Sequence, residues 1–214
     1  MKKIYSLLLV FLSCALAQAQ FSATVTGTYS AAGVNYTTRL VFSGTKMGYE
    51  ISTVSNDQQY TTRILPDAAR NSVTIVSITP GGTYANEYPA GSIEADKNFS
   101  TDGLRARLSD ESKTLGGLNC KKMLVENNAG GAAEVWIAEA DFAYYNYKDI
   151  LKSDYAVQGL SILQLKGIPM EMHVTQEGFR VSGFRFKEYS NSVPADFFNT
   201  SFPAADGQVK TESK

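Results

Sequence analysis

The sequence predicts a mainly β fold with one or two helices, and three features predict it. Thr, Val, Ile, Tyr and Phe recur in short runs broken by Gly, Asn, Asp and Ser. Several of these runs are joined by hairpin signatures, of which Ser43-Gly44-Thr45 is the first. Only one stretch, from about Phe142 to Leu163, carries apolar groups at helical spacing.

Taken in order, Ser22 to Tyr29 alternates as a first strand, and Asn35 to Phe42 and Met47 to Val54 flank the Ser43-Gly44-Thr45 turn. Gln59 to Leu65 and Val73 to Thr79 read as the next pair, joined through Pro66-Asp67. The polar, Gly-rich stretch from Pro80 to about Lys113 has weak periodicity and holds one or two short strands and a long loop. Leu118 to Glu126 and Ala133 to Ala140 then form a hairpin across Asn127-Asn128-Ala129-Gly130-Gly131. It is apolar on both faces: Cys120 and Leu124 alternate with Met123 and Val125, and Trp136 and Ala138 with Val135 and Ile137. A strand apolar on both sides is covered on both sides. The cover is expected to be a helix, a second sheet or an apolar ligand.

Tyr144, Tyr147, Leu151 and Tyr155 fall on one stripe of the helical stretch, with Gly159 a candidate break before its end. Ile168, Met170, Met172 and Val174 alternate with Glu171, His173 and Thr175; Gln176-Glu177-Gly178 turns, and Phe179 to Tyr189 returns. A bulge at Gly183 is expected to bring Phe179, Val181, Phe184 and Phe186 to one face. Val193 to Phe198 reads as a closing helical turn.

The start of the chain reads as an export leader. Met1-Lys2-Lys3 is cationic, Ile4 to Cys14 is mostly apolar, and Ala15-Leu16-Ala17-Gln18-Ala19 offers a small-x-small cleavage site. The expected organisation is a signal peptide over 1–19, a single β-rich domain over 20–203, and a disordered polar tail over 204–214. The expected address is the periplasm or the outside of the cell. A second reading makes Cys14 a lipidation site and the protein a lipoprotein. The apolar run is too short for a stable span, which needs about 20 residues.

Removing Lys2 and Lys3 leaves 18 Lys and Arg against 21 Asp and Glu, a formal charge of −3. That balance argues against nucleic acid as a partner and against a polybasic membrane contact. With Cys14 removed, Cys120 has no partner for an internal disulfide; it is expected to be buried and inert. The single histidine, His173, lies on the polar face of its strand and reads as solvated. No nucleophile elbow, phosphate loop or dinucleotide fingerprint is present. Glu134, beside Trp136, and Glu139 are carboxylates that glycoside chemistry can use, but they read first as strand-edge charges. No catalytic residue, metal ligand or cofactor is assigned, and a monomer is expected.

Lys113-Thr114-Leu115-Gly116-Gly117-Leu118-Asn119-Cys120-Lys121-Lys122, followed by Glu134-Val135-Trp136-Ile137-Ala138, resembles a family of secreted bacterial proteins. That family is formally a domain of unknown function within the LolA/LolB-like lipoprotein-carrier superfamily. Leu165 to Met172, Gly178 to Tyr189 and Val193 to Phe198 fit the family's order; Ser201-Phe202-Pro203-Ala204 departs from its usual Pro-x-Gly-Tyr close. The resemblance covers about Lys113 to Pro203. It implies an incomplete, strongly curved antiparallel barrel with a helix on its open face and an apolar cavity between them. Fold does not fix function. The leading expectation is a non-enzymatic binding protein for an apolar or lipid-like ligand. The alternatives are a structural or protein-interaction module with a filled core and, third, a hydrolase. The expected cavity wall is Trp136, Tyr144, Tyr147, Leu151, Tyr155, Met170 and Met172.

Overall fold

The computed structural model describes residues 21–31, 33–92 and 99–204; the expected leader with Cys14, and the tail beyond Ala204, lie outside them. Eleven strands form one antiparallel sheet: β1 Ser22–Ala31, β2 Val34–Ser43, β3 Lys46–Ser55, β4 Gln58–Asp67, β5 Ser72–Thr79, β6 Gly82–Pro89, β7 Arg105–Leu115, β8 Leu118–Glu126, β9 Gly131–Ala138, β10 Ile168–Gln176 and β11 Phe179–Ser190. Their order is β6-β5-β4-β3-β2-β1-β11-β10-β9-β8-β7, and β6 and β7 are not paired with each other. The stretch from Pro80 to Lys113 therefore supplies both edge strands. Pro66 and Asp67 are not the turn before β5 but its partners, opposite Val73 and Ser72.

Register separates the two faces. Val25, Leu40, Tyr49, Ile64 and Ile75 stand opposite one another in β1 to β5, and Met123, Val135, Met172 and Phe184 do so in β8 to β11. These rows face the segment between β9 and β10 and form the main core with it. We call this the inner face. The opposite, outer face carries Lys122, Trp136, Glu171 and Arg185 in one half and Thr26, Arg39, Glu50 and Arg63 in the other.

The helical stretch is shorter than its spacing predicts. Tyr144–Tyr147 is a 3-10 turn, and α1 spans only Tyr155–Leu163. Asp154 sets the start of α1. Its backbone is extended, and its carboxylate accepts from the amides of Ala156 at 2.8 Å and Val157 at 3.1 Å. Gly159 does not break α1 but lies buried within it; a Cβ there would stand 2.5 Å from Met123 Cε and 2.6 Å from Val125 Cγ2. The helix needs glycine to reach β8.

One carboxylate shows how far the sheet curls. Asp154 Oδ2 accepts from the Tyr49 hydroxyl of β3 at 2.8 Å, while Gly159, five residues on, touches β8. β3 and β8 are six strand steps apart. In a flat sheet that separation is about 29 Å, whereas a helix is only about 10 Å across. The sheet is thus a strongly curved half-barrel with the helix on its open face.

Two departures from regular pairing shape β11. Val174 faces Ser182 and Thr175 faces Arg180, so the extra residue is Val181 rather than Gly183. Phe184 and Phe186 turn into the core, but Phe179 is 76% and Val181 46% exposed, so the four do not share one buried face. A second irregularity skips Lys187, where β11 backbone closes on Gly27 and leaves no room for a side chain there.

The closing segment covers the outer face of the first strands. Phe197 is fully buried against Val41, Leu65 and Val76, with Val193, Phe198 and Phe202 around it. Its amide bonds Pro194 O at 3.1 Å, the turn expected over Val193 to Phe198. Ala85 donates from β6 to Pro203 O at 3.0 Å, which occupies part of that open edge.

Candidate functional site

The expected wall residues divide into three groups. Tyr144, Tyr147, Tyr155 and Met170 are buried in the main core, and Phe142 packs among them, 6.2 Å from the Tyr147 ring and stacked on it. Their polar ends are satisfied internally. Tyr144 donates to Asp154 Oδ2 at 3.3 Å, Tyr147 donates to Thr45 O, and Tyr155 accepts from Asn127 Nδ2 at 3.3 Å. Burial pushes the Tyr147 phenol up to about 12. Burial also raises Asp154 above the usual carboxylate range, despite the hydroxyl and amides it accepts from. The Tyr49 phenol is raised by burial and by the Asp154 charge beside it. Leu151 is half-buried at the edge of this cluster. These groups fill one another's space beneath the segment before α1.

Trp136 is buried in the same cluster but projects from the other side of its strand. It stands in register with Lys122 and Glu171 on the outer face, with Lys113 Nζ 4.1 Å and Lys122 Nζ 5.9 Å from its ring centroid. The second apolar face of the β8–β9 hairpin is thus roofed by lysine stems and the end of β7 rather than by a helix. Glu171 lies under that roof, with its side chain 5% exposed. Lys113 Nζ at 2.9 Å, His173 Nε2 at 2.8 Å and Arg185 Nε at 3.2 Å surround it. Burial alone would raise its pKa, but Lys113, His173 and Arg185 outweigh that and hold the carboxyl below its ordinary value. His173, expected in solvent, is tied into this network and only 28% exposed.

Met172 belongs to the third group. It is half-buried on the inner face, opposite Phe184, which stands opposite Tyr29, which stands opposite Tyr36. Tyr29 and Tyr36 rings lie 6.0 Å apart, and both residues are half-buried. This Met-Phe-Tyr-Tyr row crosses β10, β11, β1 and β2 toward the hairpin tips. Reasoning from the sequence missed three of its four members. The alternation of each strand is visible locally, but the row exists only through the β1–β11 pairing, which joins chain ends and leaves no local trace.

Cys120 is fully buried, and burial raises its thiol pKa. Among the described residues no group of three or more His, Cys, Asp or Glu is placed to hold a metal ion, and no helix is long and apolar enough to cross a membrane.

No family model matches the chain, and no curated protein does. Solved structures of MucB overlap it loosely. MucB in complex with MucA(peri) gives a TM-score of 0.36 at 14% identity, covering 85% of this chain and 54% of that one. The Pseudomonas aeruginosa MucA/MucB complex gives 0.35 at 14% identity, covering 82% and 53%. MucB alone gives 0.36 at 14%, covering 87% and 59%. The chain spans little more than half the length of the chains it overlaps.

Proposed function

We propose that this protein is an exported, non-enzymatic binding module of the cell envelope that lays an apolar, lipid-like guest against its inner face. The observation that carries this reading is the apolar row on the concave side of the half-barrel, in which buried Phe184 is flanked by half-buried Met172, Tyr29 and Tyr36. Methionine adapts to a guest of variable shape, and tyrosine joins an apolar body to a hydroxyl suited to a head group. The binding surface is this row, beyond the filled region around Tyr144, Tyr147 and Tyr155, rather than a closed chamber beneath α1. An acylated Cys14 would fix the same module to a membrane.

A second reading, a protein-interaction module with a filled core, is favoured by the same packed tyrosines and by Val34, Phe179 and Val181 at neighbouring hairpin tips, 49%, 76% and 46% exposed. Two methionines separate the readings. Met170→Ala, at a fully buried site, should cost about 2–5 kcal/mol of stability. Met172→Ala should cost less and instead weaken uptake of a fluorescent fatty-acid probe. Native mass spectrometry of protein purified from the periplasm should show a co-purifying lipid. A clean apo mass together with no probe uptake would transfer the case to the protein-interaction reading.

A further inference from the structure

A polar cleft of about 430 Å³ opens on the outer face of β1 to β4, on the opposite side of the sheet from the apolar row. Its floor is the Arg39–Glu50 pair. Thr37 and Ser52 stand opposite each other above it, and the amides of Asn35 and Gln59 line its upper part. Alternation places Asn35, Thr37 and Arg39 on one side of β2, and Glu50 and Ser52 on the same side of β3. No other charged side chain lines the cleft.

The charges of the floor are unequal. Arg63 is the close partner of Glu50, with Nε 2.8 Å from Oε2. Its Nη1 donates to Asp196 O at 3.1 Å, and its guanidinium lies 5.1 Å from the Phe197 ring centroid. Arg63 is therefore committed to the closing segment. Arg39 reaches Glu50 Oε1 only at 3.4 Å and is 36% exposed. Two guanidinium groups share one buried carboxylate, which leaves a positive charge at the base of a cleft lined by hydroxyls and amides. A guanidinium fork matches the geometry of an oxyanion, and neighbouring hydroxyls can donate to the same oxygens.

We propose that this cleft binds a phosphate group carried on a small polar body. The phosphate sits on Arg39 with Thr37 and Ser52, and the hydroxylated remainder extends toward Asn35 and Gln59. A bare phosphate fills only part of the volume, so a glycerol-sized extension binds more tightly.

Amide spectra of the mature protein, titrated with inorganic phosphate and then glycerol 3-phosphate, test this against chloride at matched ionic strength. The expected result is saturable shifts at Thr37, Arg39 and Ser52, with the tighter response to glycerol 3-phosphate. Arg39→Gln should weaken both by about tenfold or more, the loss of one charge-assisted bond. Glu50 keeps Arg63 in that variant, and an unchanged thermal melt checks its fold. Thr37→Val is the second variant should the first perturb the melt. Sedimentation with phosphatidylglycerol vesicles that Arg39→Gln abolishes identifies a lipid head group as the source; binding of the soluble phosphates alone identifies a free one. Chloride reproducing the shifts, or both variants leaving them unchanged, overturns the proposal.

Discussion

Glu171 is the residue whose environment differs most from its sequence context. In an alternating strand it reads as a solvated charge, yet Lys113 reaches across from β7 to pair with it and to cover its cross-strand neighbour Trp136. Glu171→Gln keeps the shape but removes the charge that Lys113, His173 and Arg185 converge on; it should cost about 2 kcal/mol or more. The sign of the pH dependence follows from the lowered pKa. The stabilising contribution is present above the unfolded value, about 4.3, and is lost as pH falls through the folded one. The stability gap between wild type and Glu171→Gln should therefore narrow in acid; a gap independent of pH from neutrality to about pH 3 would show that charge is not its origin. For Cys120, full burial and a raised thiol pKa make native labelling by a thiol reagent slow and labelling in denaturant fast. Equal rates would place the thiol at the surface.

At the scale of elements, local alternation was enough to locate nine of the strands, because each buries a row of its own. The edges were harder. β6 and β7 pair on one side only and carry polar residues toward solvent, so their periodicity is faint. The tyrosine stripe misled for a physical reason: 3-10 turns and α-helices both return a side chain to one face every three or four residues. The better signal was Asp154, whose carboxylate begins α1 at the last member of the apparent stripe, Tyr155. Gly159 shows the same tension between propensity and packing. Gly159→Ala would favour an isolated helix by about 1 kcal/mol. Here its methyl meets Val125, a branched side chain with little freedom to yield. The variant should lose about 1–3 kcal/mol, and Val125→Ala in the same chain should return part of it. A more stable Gly159→Ala protein would mean that α1 stands further from β8.

For the whole molecule, the half-barrel was legible through the resemblance and through the two-faced hairpin, whereas the site was only partly legible. Met172 stands on the inner face, and Trp136 shares the buried cluster of Tyr144, Tyr147, Tyr155 and Met170 while standing in register with Lys122 and Glu171. Strand alternation assigns a residue to one of two faces; it cannot say which face is concave. That depends on the order of the strands, and here the order has a temporal consequence. Among the described strands β1 is made first and β11 last, yet they pair at the middle of the sheet, and Thr24 bonds Ser192 across 168 positions. Neither half of the sheet has its central neighbour until β11 has been made. The native sheet cannot close before β11 is available to pair with β1. Refolding should be slow, in the millisecond-to-second range typical of non-local β topologies. A chain ending at Gln176 should remain protease-sensitive throughout rather than yield a stable β1–β6 fragment. Isolation of such a fragment would show that the first meander folds on its own.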